Sequence, residues 1–179
     1  MRAEETNNDI KYAATQALAN SLEFVRSNFA NPTERNIIMQ MIFSVTVSTD
    51  VRVRTVAYSC LVEIANLYYE CLPEYIATIY NLTSNALQKE EEDVALQAVE
   101  FWSTVCDEEI ILLEELADAQ ENNKQPDRPC HNFIHAATAQ LVPILLQCLT
   151  KQHDDLENDD WNIAMAAGTC LGLCAKTAK

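Results

Sequence analysis

Five carboxylates are concentrated near the end of the chain, in the stretch KQHDDLENDDW from Lys151 to Trp161. They belong to Asp154, Asp155, Glu157, Asp159 and Asp160. Such a group could bind the Lys and Arg side chains of a basic partner through charge-assisted hydrogen bonds. It could equally be a solvated linker between two helices, because most charge runs face water. Trp161 favours recognition, because an aromatic ring beside carboxylates offers a cation–π contact to the same basic partner.

Patterns that could support catalysis or metal binding are weak. The sequence contains neither a Gly-rich phosphate loop nor a nucleophile elbow. The spacing of Cys130, His131 and His135 could suit zinc, but no second pair of ligands lies at a matching separation. His153 lies beside Asp154, yet an open acidic loop offers no pocket that would prepare it for acid–base chemistry. We therefore expect a binding protein with no catalytic site, no cofactor and no bound metal.

Composition narrows the class of partner. The 179-residue chain has a net charge of −15 and a pI near 4.4. Like charge repels nucleic acids and anionic membranes, so basic proteins are the expected partners. No apolar run reaches membrane-spanning length, and the start MRAEETNN lacks the apolar core of a signal peptide. Five of the seven cysteines occupy apolar helical positions, which indicates small buried hydrophobic residues in a reducing compartment: Cys60, Cys106, Cys148, Cys170 and Cys174.

Apolar periodicity predicts that helices position these residues, and the presence of only 2 glycines argues against sheets and tight hairpins. The segment ENNKQPDRPC is predicted to be the one long loop. Trp102 lies in a helical stripe, where core packing and partner recognition are equally supported. The first three expected helices run over Asn8–Val25, from an N-cap at Thr33 to about Val47, and from Thr49 or Asp50 to about Tyr68. A fourth helix is expected to start at Pro73, and a fifth to follow the EEED run. The last two are expected near Asn132–Thr150 and near Asn162–Lys176.

A repeated Ala-x-x-x-Leu/Val pattern sets the architecture. It recurs in every second helix, at Ala14–Leu18, Ala57–Leu61, Ala95–Val99 and Ala167–Leu171. A period of about 40 residues with two helices per unit is typical of an all-α HEAT-repeat solenoid. We expect one array cut from a longer superhelix. The second helix of a truncated repeat is expected in about 1–30, followed by full repeats in 31–71 and 72–121. A loop in 122–131 then leads to a repeat in 132–179 that contains the acidic loop 153–160.

Several ordered motifs closely resemble the importin-β family of nuclear transport receptors, around its fifth to eighth HEAT repeats. They are NSLEF (20–24), DVRVR (50–54), EFWSTVCDEE (100–109), LVPILLQCLTKQ (141–152) and the terminal DDWN of the acidic loop. The resemblance covers essentially the whole chain. It implies a right-handed superhelix that shuttles between cytoplasm and nucleus through the nuclear pore and associates with the nuclear envelope. Its concave face, lined by second helices, would bind an importin-α adaptor, basic cargo and Ran-GTP, and its convex face would bind Phe–Gly repeats of nucleoporins.

The resemblance also implies roles for individual residues. A segment that contacts Ran and the basic helix of the adaptor in the family matches the acidic loop Asp154–Asp160 and Trp161. Positions that meet basic cargo match Glu100 and Asp107. The residues Glu34, Ile37, Ile38 and Tyr75 match nucleoporin-binding positions. Two departures change these sites: the family often has Phe where this chain has Ile37, and Leu156 and Asn158 interrupt the acidic run. The alternative function is a HEAT-repeat scaffold or regulatory subunit that binds folded proteins.

Overall fold

The computed structural model describes residues 7–151 and 161–178, so the acidic loop predicted at 153–160 lies outside the described residues. All regular elements within those two ranges are helical. The α-helices are α1 (Asn8–Ser21), α2 (Arg26–Ala30), α3 (Pro32–Val45), α4 (Val51–Leu67), α5 (Ile76–Lys89), α6 (Glu92–Glu121), α7 (Phe133–Leu149) and α8 (Ile163–Thr177). Two 3-10 segments, Leu22–Phe24 and Tyr69–Glu74, join α1 to α2 and α4 to α5. None of these helices is both long and apolar enough to span a bilayer.

The long helices form two rows. Helices α1, α4, α6 and α8 pack side by side in what we call the second-helix row. Helices α3, α5 and α7 form the first-helix row, and each packs on the second helix that follows it. This is the arrangement of a HEAT-repeat solenoid, as the repeat spacing predicts. Because α6 has α4 and α8 at its sides and α5 behind it, one face of α6 remains available to a partner.

Small residues allow the second helices to pack closely. Ala57, Ala95 and Ala167, which carry the repeated pattern, are all buried. The ring of Trp102 is also buried, with 0% of its surface exposed, and its indole N–H donates to the hydroxyl of Thr83 on α5 at 3.0 Å. Trp102 therefore belongs to the core, which decides between the two interpretations of this residue. Burial of such a side chain stabilises the fold by about 3 kcal/mol.

Side-chain caps set the starts of α3 and α4, whereas α5 begins without one. Asp50 caps α4, because its side chain accepts a hydrogen bond from the backbone N–H of Arg52. The predicted cap of α3, Thr33, is wrong: Asn31 is the N-cap and accepts from Thr33 N at 3.0 Å. Asn31 precedes Pro32, whose fixed φ suits the first helical position. The predicted helix start at Pro73 is also wrong, since Pro73 lies inside the 3-10 segment and α5 begins at Ile76.

The first predicted helix ends earlier than its periodicity suggests. It stops at Ser21 and does not reach Val25, and a 3-10 turn then leads into the short helix α2. The reason is tertiary: Phe29 of α2 stacks on Tyr68 with ring centroids 4.0 Å apart, and Tyr68 donates its hydroxyl to the carbonyl of Leu22. Such contacts can override a local helical preference.

Polar side chains join consecutive repeats. The guanidinium of Arg54 donates to Glu90 at 2.9 Å and also to Glu91, both in the turn before α6, and to the carbonyl of Ser48 at 2.7 Å. Earlier in the chain, Arg35 of α3 donates to Glu74 at 2.8 Å. These partly buried ion pairs fix the angle between one helix pair and the next, because the planar guanidinium requires a defined geometry.

The buried carboxylate of Glu109 performs a similar task at the end of the long loop. It accepts hydrogen bonds from the hydroxyl of Tyr69 at 2.9 Å and from the backbone N–H groups of Phe133 and Ile134 at the start of α7. The N-cap residue, Asn132, has a positive φ of 56° and makes no capping hydrogen bond with its side chain. Glu109 therefore replaces the missing cap and fixes α7 to α6.

Candidate protein-binding surfaces

The free face of α6 carries an acidic stripe. Glu100 and Asp107 are both exposed and lie two turns apart, about 10 Å along the helix. Residues at the same helical phase are exposed too, and we call the set Glu100, Asp107, Ile111, Glu114 and Asp118 the α6 stripe. Among these, Ile111 is apolar and 47% exposed. The last three of these residues were not predicted as site residues, although their i+4, i+7 and i+11 spacing from Asp107 places them on the same helical face.

The carboxylates of the α6 stripe form no ion pair with any residue that the structure describes. None of the salt bridges formed within residues 7–151 and 161–178 involves them. The neighbouring acids differ, because Arg128 of the long loop donates to both Glu108 and Glu115. Exposed Glu70, after α4, lines a pocket together with Glu108 and Leu112 of α6 and adds negative charge there. The stripe therefore presents uncompensated negative charge with one apolar side chain at its centre, which suits a Lys/Arg-rich segment.

Trp161 lies at the start of α8 and is 56% exposed. Asn162 holds this end of the helix, because its side-chain oxygen accepts from the backbone N–H groups of Ala164 and Met165 at 3.0 Å each. The N–H of Ile163 donates to Glu92 in the first turn of α6 at 2.9 Å. Trp161 is thus placed beside the beginning of α6, and Glu100 is about 12 Å further along that helix. The predicted acidic residues Asp154, Asp155, Glu157, Asp159 and Asp160 lie outside the described residues.

A groove with a volume of about 780 Å³ lies between α3, Lys11 of α1 and the turn 47–49. Ile37 lines it and is 56% exposed, and Met41 adds a second apolar side chain. Lys11 of α1 and the turn 47–49 close the other edges. This groove is a candidate site for a single apolar side chain of a partner. Its full lining is Lys11, Thr33, Asn36, Ile37, Gln40, Met41, Ser44, Val45, Val47, Ser48 and Thr49.

The structure does not bring the other predicted nucleoporin-binding residues into this groove. Ile38 is half-buried and packs against the core. The carboxylate of Glu34 accepts from the side-chain amides of Asn28 and Asn31 at 2.6 and 3.1 Å, which orders the start of α3. Tyr75 is buried on another side of α3, with its hydroxyl donating to Asn36. Only Ile37 of the four predicted residues therefore lines the groove.

The arrangement of the possible zinc ligands favours a structural role. No group of three or more His, Cys, Asp or Glu side chains within the described part of the chain is placed to hold a metal ion. The ring of His131 stacks on Phe133 with centroids 5.3 Å apart, and its backbone N–H donates to the hydroxyl of Tyr69 at 3.0 Å. His131 therefore contributes to the junction that positions α7.

Curated relatives match the chain along nearly its whole length, although no family model matches it. The chain is 48% identical over 178 residues to importin subunit beta-1 of Arabidopsis thaliana. This match covers 98% of the chain and 20% of the relative. Identity to the protein of the same name from Schizosaccharomyces pombe is 48% over 176 residues, with the same coverage of 98% and 20%. The chain thus spans about a fifth of the length of the curated relatives it matches.

Solved structures agree with the relatives. A structure of yeast importin-β, Kap95p, superposes with a TM-score of 0.90 at 39% identity, covering 97% of this chain and 20% of that one. Kap95p in a structure with RanGDP gives a TM-score of 0.89 at 39% identity over 96% of this chain and 20% of that one. The Kap95:Nup1 complex superposes with a TM-score of 0.89 at 39% identity, and the match covers 97% of this chain and 20% of that one. The chain is therefore homologous, over nearly all of its length, to one segment of importin-β, and it shares the HEAT-repeat fold of that segment.

Proposed function

We propose that this chain is the segment of a nuclear import receptor that binds basic proteins on the α6 stripe and Phe–Gly repeats of nucleoporins on its first-helix row. The observation that carries the proposal is the α6 stripe itself, an exposed and unpaired row of carboxylates in a chain homologous to importin-β. Such a receptor shuttles between cytoplasm and nucleus and associates with the nuclear envelope. It acts by binding alone, without catalysis or a cofactor.

The basic partners are Ran-GTP, the importin-α adaptor and basic cargo. A Lys/Arg-rich segment on the α6 stripe would gain ion pairs with Glu100 and Asp107 and contact with Ile111. Trp161, beside the start of α6, offers its exposed face for a cation–π contact, and the five acids of 154–160 precede it directly in the chain. The structure of Kap95p with RanGDP supports Ran as one of these partners. Competition for a single acidic surface provides a physical basis for the exchange of cargo against Ran-GTP.

The nucleoporin-binding side depends on apolar contact. The groove beside Ile37 is open and shallow, so a single Phe side chain would bind weakly and leave quickly, which suits transit through a pore. The Kap95:Nup1 complex supports partners of this kind. We propose Glu34, Ile37, Ile38 and Tyr75 as the nucleoporin-binding residues. Within this set, Ile37 would contact the Phe ring, while Ile38 and Tyr75 would support the wall behind it.

Binding to Ran tests the acidic surface. The chain should bind GTP-loaded Ran more tightly than GDP-loaded Ran in a calorimetric titration. Changing Asp154, Asp155, Asp159 and Asp160 together to Asn should weaken that binding most at low ionic strength, because salt screens the attraction between opposite charges. Glu23→Gln, on the exposed 3-10 segment after α1, is the matched control and should change nothing. Equal affinity of the fourfold variant and the unchanged chain at low salt would exclude the electrostatic role of the loop.

Binding to a Phe–Gly peptide tests the groove. Ile37→Asp should abolish binding without unfolding the chain, because the side chain is exposed and places a charge where the Phe would lie. Ile38→Asp should abolish binding as well but should also destabilise the fold, since Ile38 packs against the core. Ile10→Asp, an exposed residue of α1 outside the groove, is the matched control. Retained binding by Ile37→Asp, together with capture of folded proteins, would favour the HEAT-repeat scaffold.

A further inference from the structure

Three of the seven cysteines meet in the core between α6 and α8. They are Cys106 on α6 and Cys170 and Cys174 on α8, and all three are buried. The sulfur atoms of Cys106 and Cys174 are 3.7 Å apart, which is van der Waals contact. Cys170 lies one turn before Cys174 on the same face of α8. Two helices of the second-helix row are thus joined by a contact between thiols.

The other fully buried cysteines have different neighbours. Cys148 directs its thiol to the backbone carbonyl of Leu87 at 3.9 Å, and Cys60 lies within the apolar stripe of α4. The sulfur atoms of Cys106 and Cys174 already touch and lie on two different helices, so a bond between them would join α6 to α8. A disulfide requires the two sulfurs to approach from 3.7 Å to about 2.05 Å.

We propose that Cys106 and Cys174 are a redox-active pair, which a small disulfide oxidant such as glutathione disulfide converts into an intrachain disulfide between α6 and α8. This inference is independent of the proposed partners. In a reducing compartment the pair remains a dithiol, and the bond forms when the oxidised fraction of the glutathione pool rises.

The reaction proceeds by two thiol–disulfide exchanges. The thiolate of Cys174 attacks one sulfur of glutathione disulfide, which forms a mixed disulfide and releases one glutathione thiolate. The thiolate of Cys106 then attacks the sulfur of Cys174 and releases the second glutathione. The two protein thiols lose two electrons, the oxidant gains them, and the two protons pass to the glutathione thiolates.

The surroundings of the cluster assign the first attack to Cys174. Hydrogen bonds with Cys106 and Cys170 lower the pKa of the Cys174 thiol, and a thiolate is the attacking species. By contrast, the pKa of the Cys106 thiol is raised, because Cys106 interacts with the thiols of Cys170 and Cys174 and is buried. Because the pair is buried, the oxidant reaches it only when α6 and α8 open locally, so oxidation is slower than at an exposed thiol.

The crosslink would act on the second-helix row. Cys106 is adjacent in sequence to Asp107 of the α6 stripe, and Cys174 lies on α8, the helix that begins beside Trp161. A covalent bond between α6 and α8 prevents the two helices from sliding past each other. The oxidised chain should therefore show slower amide hydrogen exchange in the facing turns of both helices.

The test uses the whole chain incubated with glutathione disulfide under native conditions, then blocked with iodoacetamide and mapped by peptide mass spectrometry. The expected result is loss of two of the seven titratable thiols. The map should contain a peptide that links Cys106 to Cys174 and is two hydrogens lighter than the separate peptides. Dithiothreitol should restore all seven thiols. Cys106→Ser and Cys174→Ser should each abolish the linked peptide, whereas Cys148→Ser, the matched control with a buried thiol lacking a sulfur neighbour, should retain it.

The map of the unchanged chain decides the matter even if a serine variant fails to fold. Retention of all seven thiols by the folded chain, at an oxidant concentration that oxidises the urea-unfolded chain, would overturn the proposal. A linked peptide joining any other two cysteines, including Cys106 with Cys170, would overturn it as well. Circular dichroism recorded before and after oxidation establishes that the oxidised chain is still folded.

Discussion

Asp107 and Glu109 are two residues apart on α6, yet one carboxylate faces solvent and the other caps the start of α7. Two residues correspond to about 200° around a helix, so they lie on opposite faces. Glu100 shares the exposed phase of Asp107, and Trp102 shares the buried phase of Glu109. One helix therefore carries acidic residues that hold repeats together on one face and acidic residues that can attract partners on the other, and helical phase decides between the two tasks.

The two tryptophans show the same division. Trp102 is enclosed and donates its indole N–H to Thr83, whereas Trp161 is exposed before the first turn of α8. Residue type alone supports either task for both of them. Four substitutions, at Trp102, Trp161, Glu109 and Asp107, can therefore separate stability from binding.

The largest effect is expected at Trp102. Trp102→Ala removes a fully buried ring and its hydrogen bond to Thr83, so the free energy of unfolding should fall by about 4 kcal/mol. Urea denaturation followed by circular dichroism measures this loss. Trp161→Ala should change the free energy of unfolding by less than about 0.5 kcal/mol, because the ring is exposed. Equal losses for the two variants would contradict the division between core and surface.

The next largest effect is expected at Glu109. Glu109→Ala leaves the hydroxyl of Tyr69 and two N–H groups of α7 without their acceptor in a buried site, which should cost about 3 kcal/mol. The matched variant Asp107→Ala, on the opposite face, should stay within about 0.5 kcal/mol of the unchanged chain. The same denaturation experiment compares the two. A loss at Asp107 as large as that at Glu109 would show that both carboxylates are structural.

A smaller effect is expected from pH. Burial raises the pKa of the Glu109 carboxyl above its ordinary value of 4.5, and this outweighs its hydrogen bonds with Tyr69, Ile134 and Phe133. The folded state therefore favours the protonated form, and the stability that this preference contributes is complete below pH 4.5. It is lost as the pH rises through the raised pKa of the folded state.

Glu109→Gln isolates this contribution, because the amide does not titrate. The difference in unfolding free energy between the unchanged chain and Glu109→Gln should be constant below pH 4.5 and should change as the pH rises through the raised pKa of the Glu109 carboxyl. Parallel pH curves for the unchanged chain and Glu109→Gln would contradict the buried assignment.

Much of the architecture could be predicted from the sequence because its signals are local and repeated. The Ala-x-x-x-Leu/Val pattern fixes the packing face of α4, α6 and α8, and the apolar stripes predict the long helices. Local signals fail where tertiary contacts decide. The short helix α2 exists because Phe29 stacks on Tyr68, and the 3-10 turn containing Pro73 precedes α5 where a helix start was predicted.

The candidate sites were predictable in part. The exposure of Trp161, Glu100 and Asp107 follows from their helical phase and from the polar segment before α8. The placement of Tyr75 does not, because its burial depends on Asn36, which accepts its hydroxyl, and on Arg35, which donates to it at 3.4 Å. These partners are about 40 residues away in sequence, and no local pattern predicts which side of α3 they face.

We propose that the carboxylates of the α6 stripe, which form no ion pair with the residues that the structure describes, provide an electrostatic surface for basic partners. The most direct test is the Kd of a Lys/Arg-rich adaptor peptide, measured against ionic strength for the unchanged chain and for the double variant Glu100→Gln, Asp107→Asn. We predict that the double variant binds the peptide about tenfold more weakly than the unchanged chain at low salt. The difference between the two Kd values should shrink as the salt concentration rises. Equal Kd values for the two chains at low salt would contradict the claim.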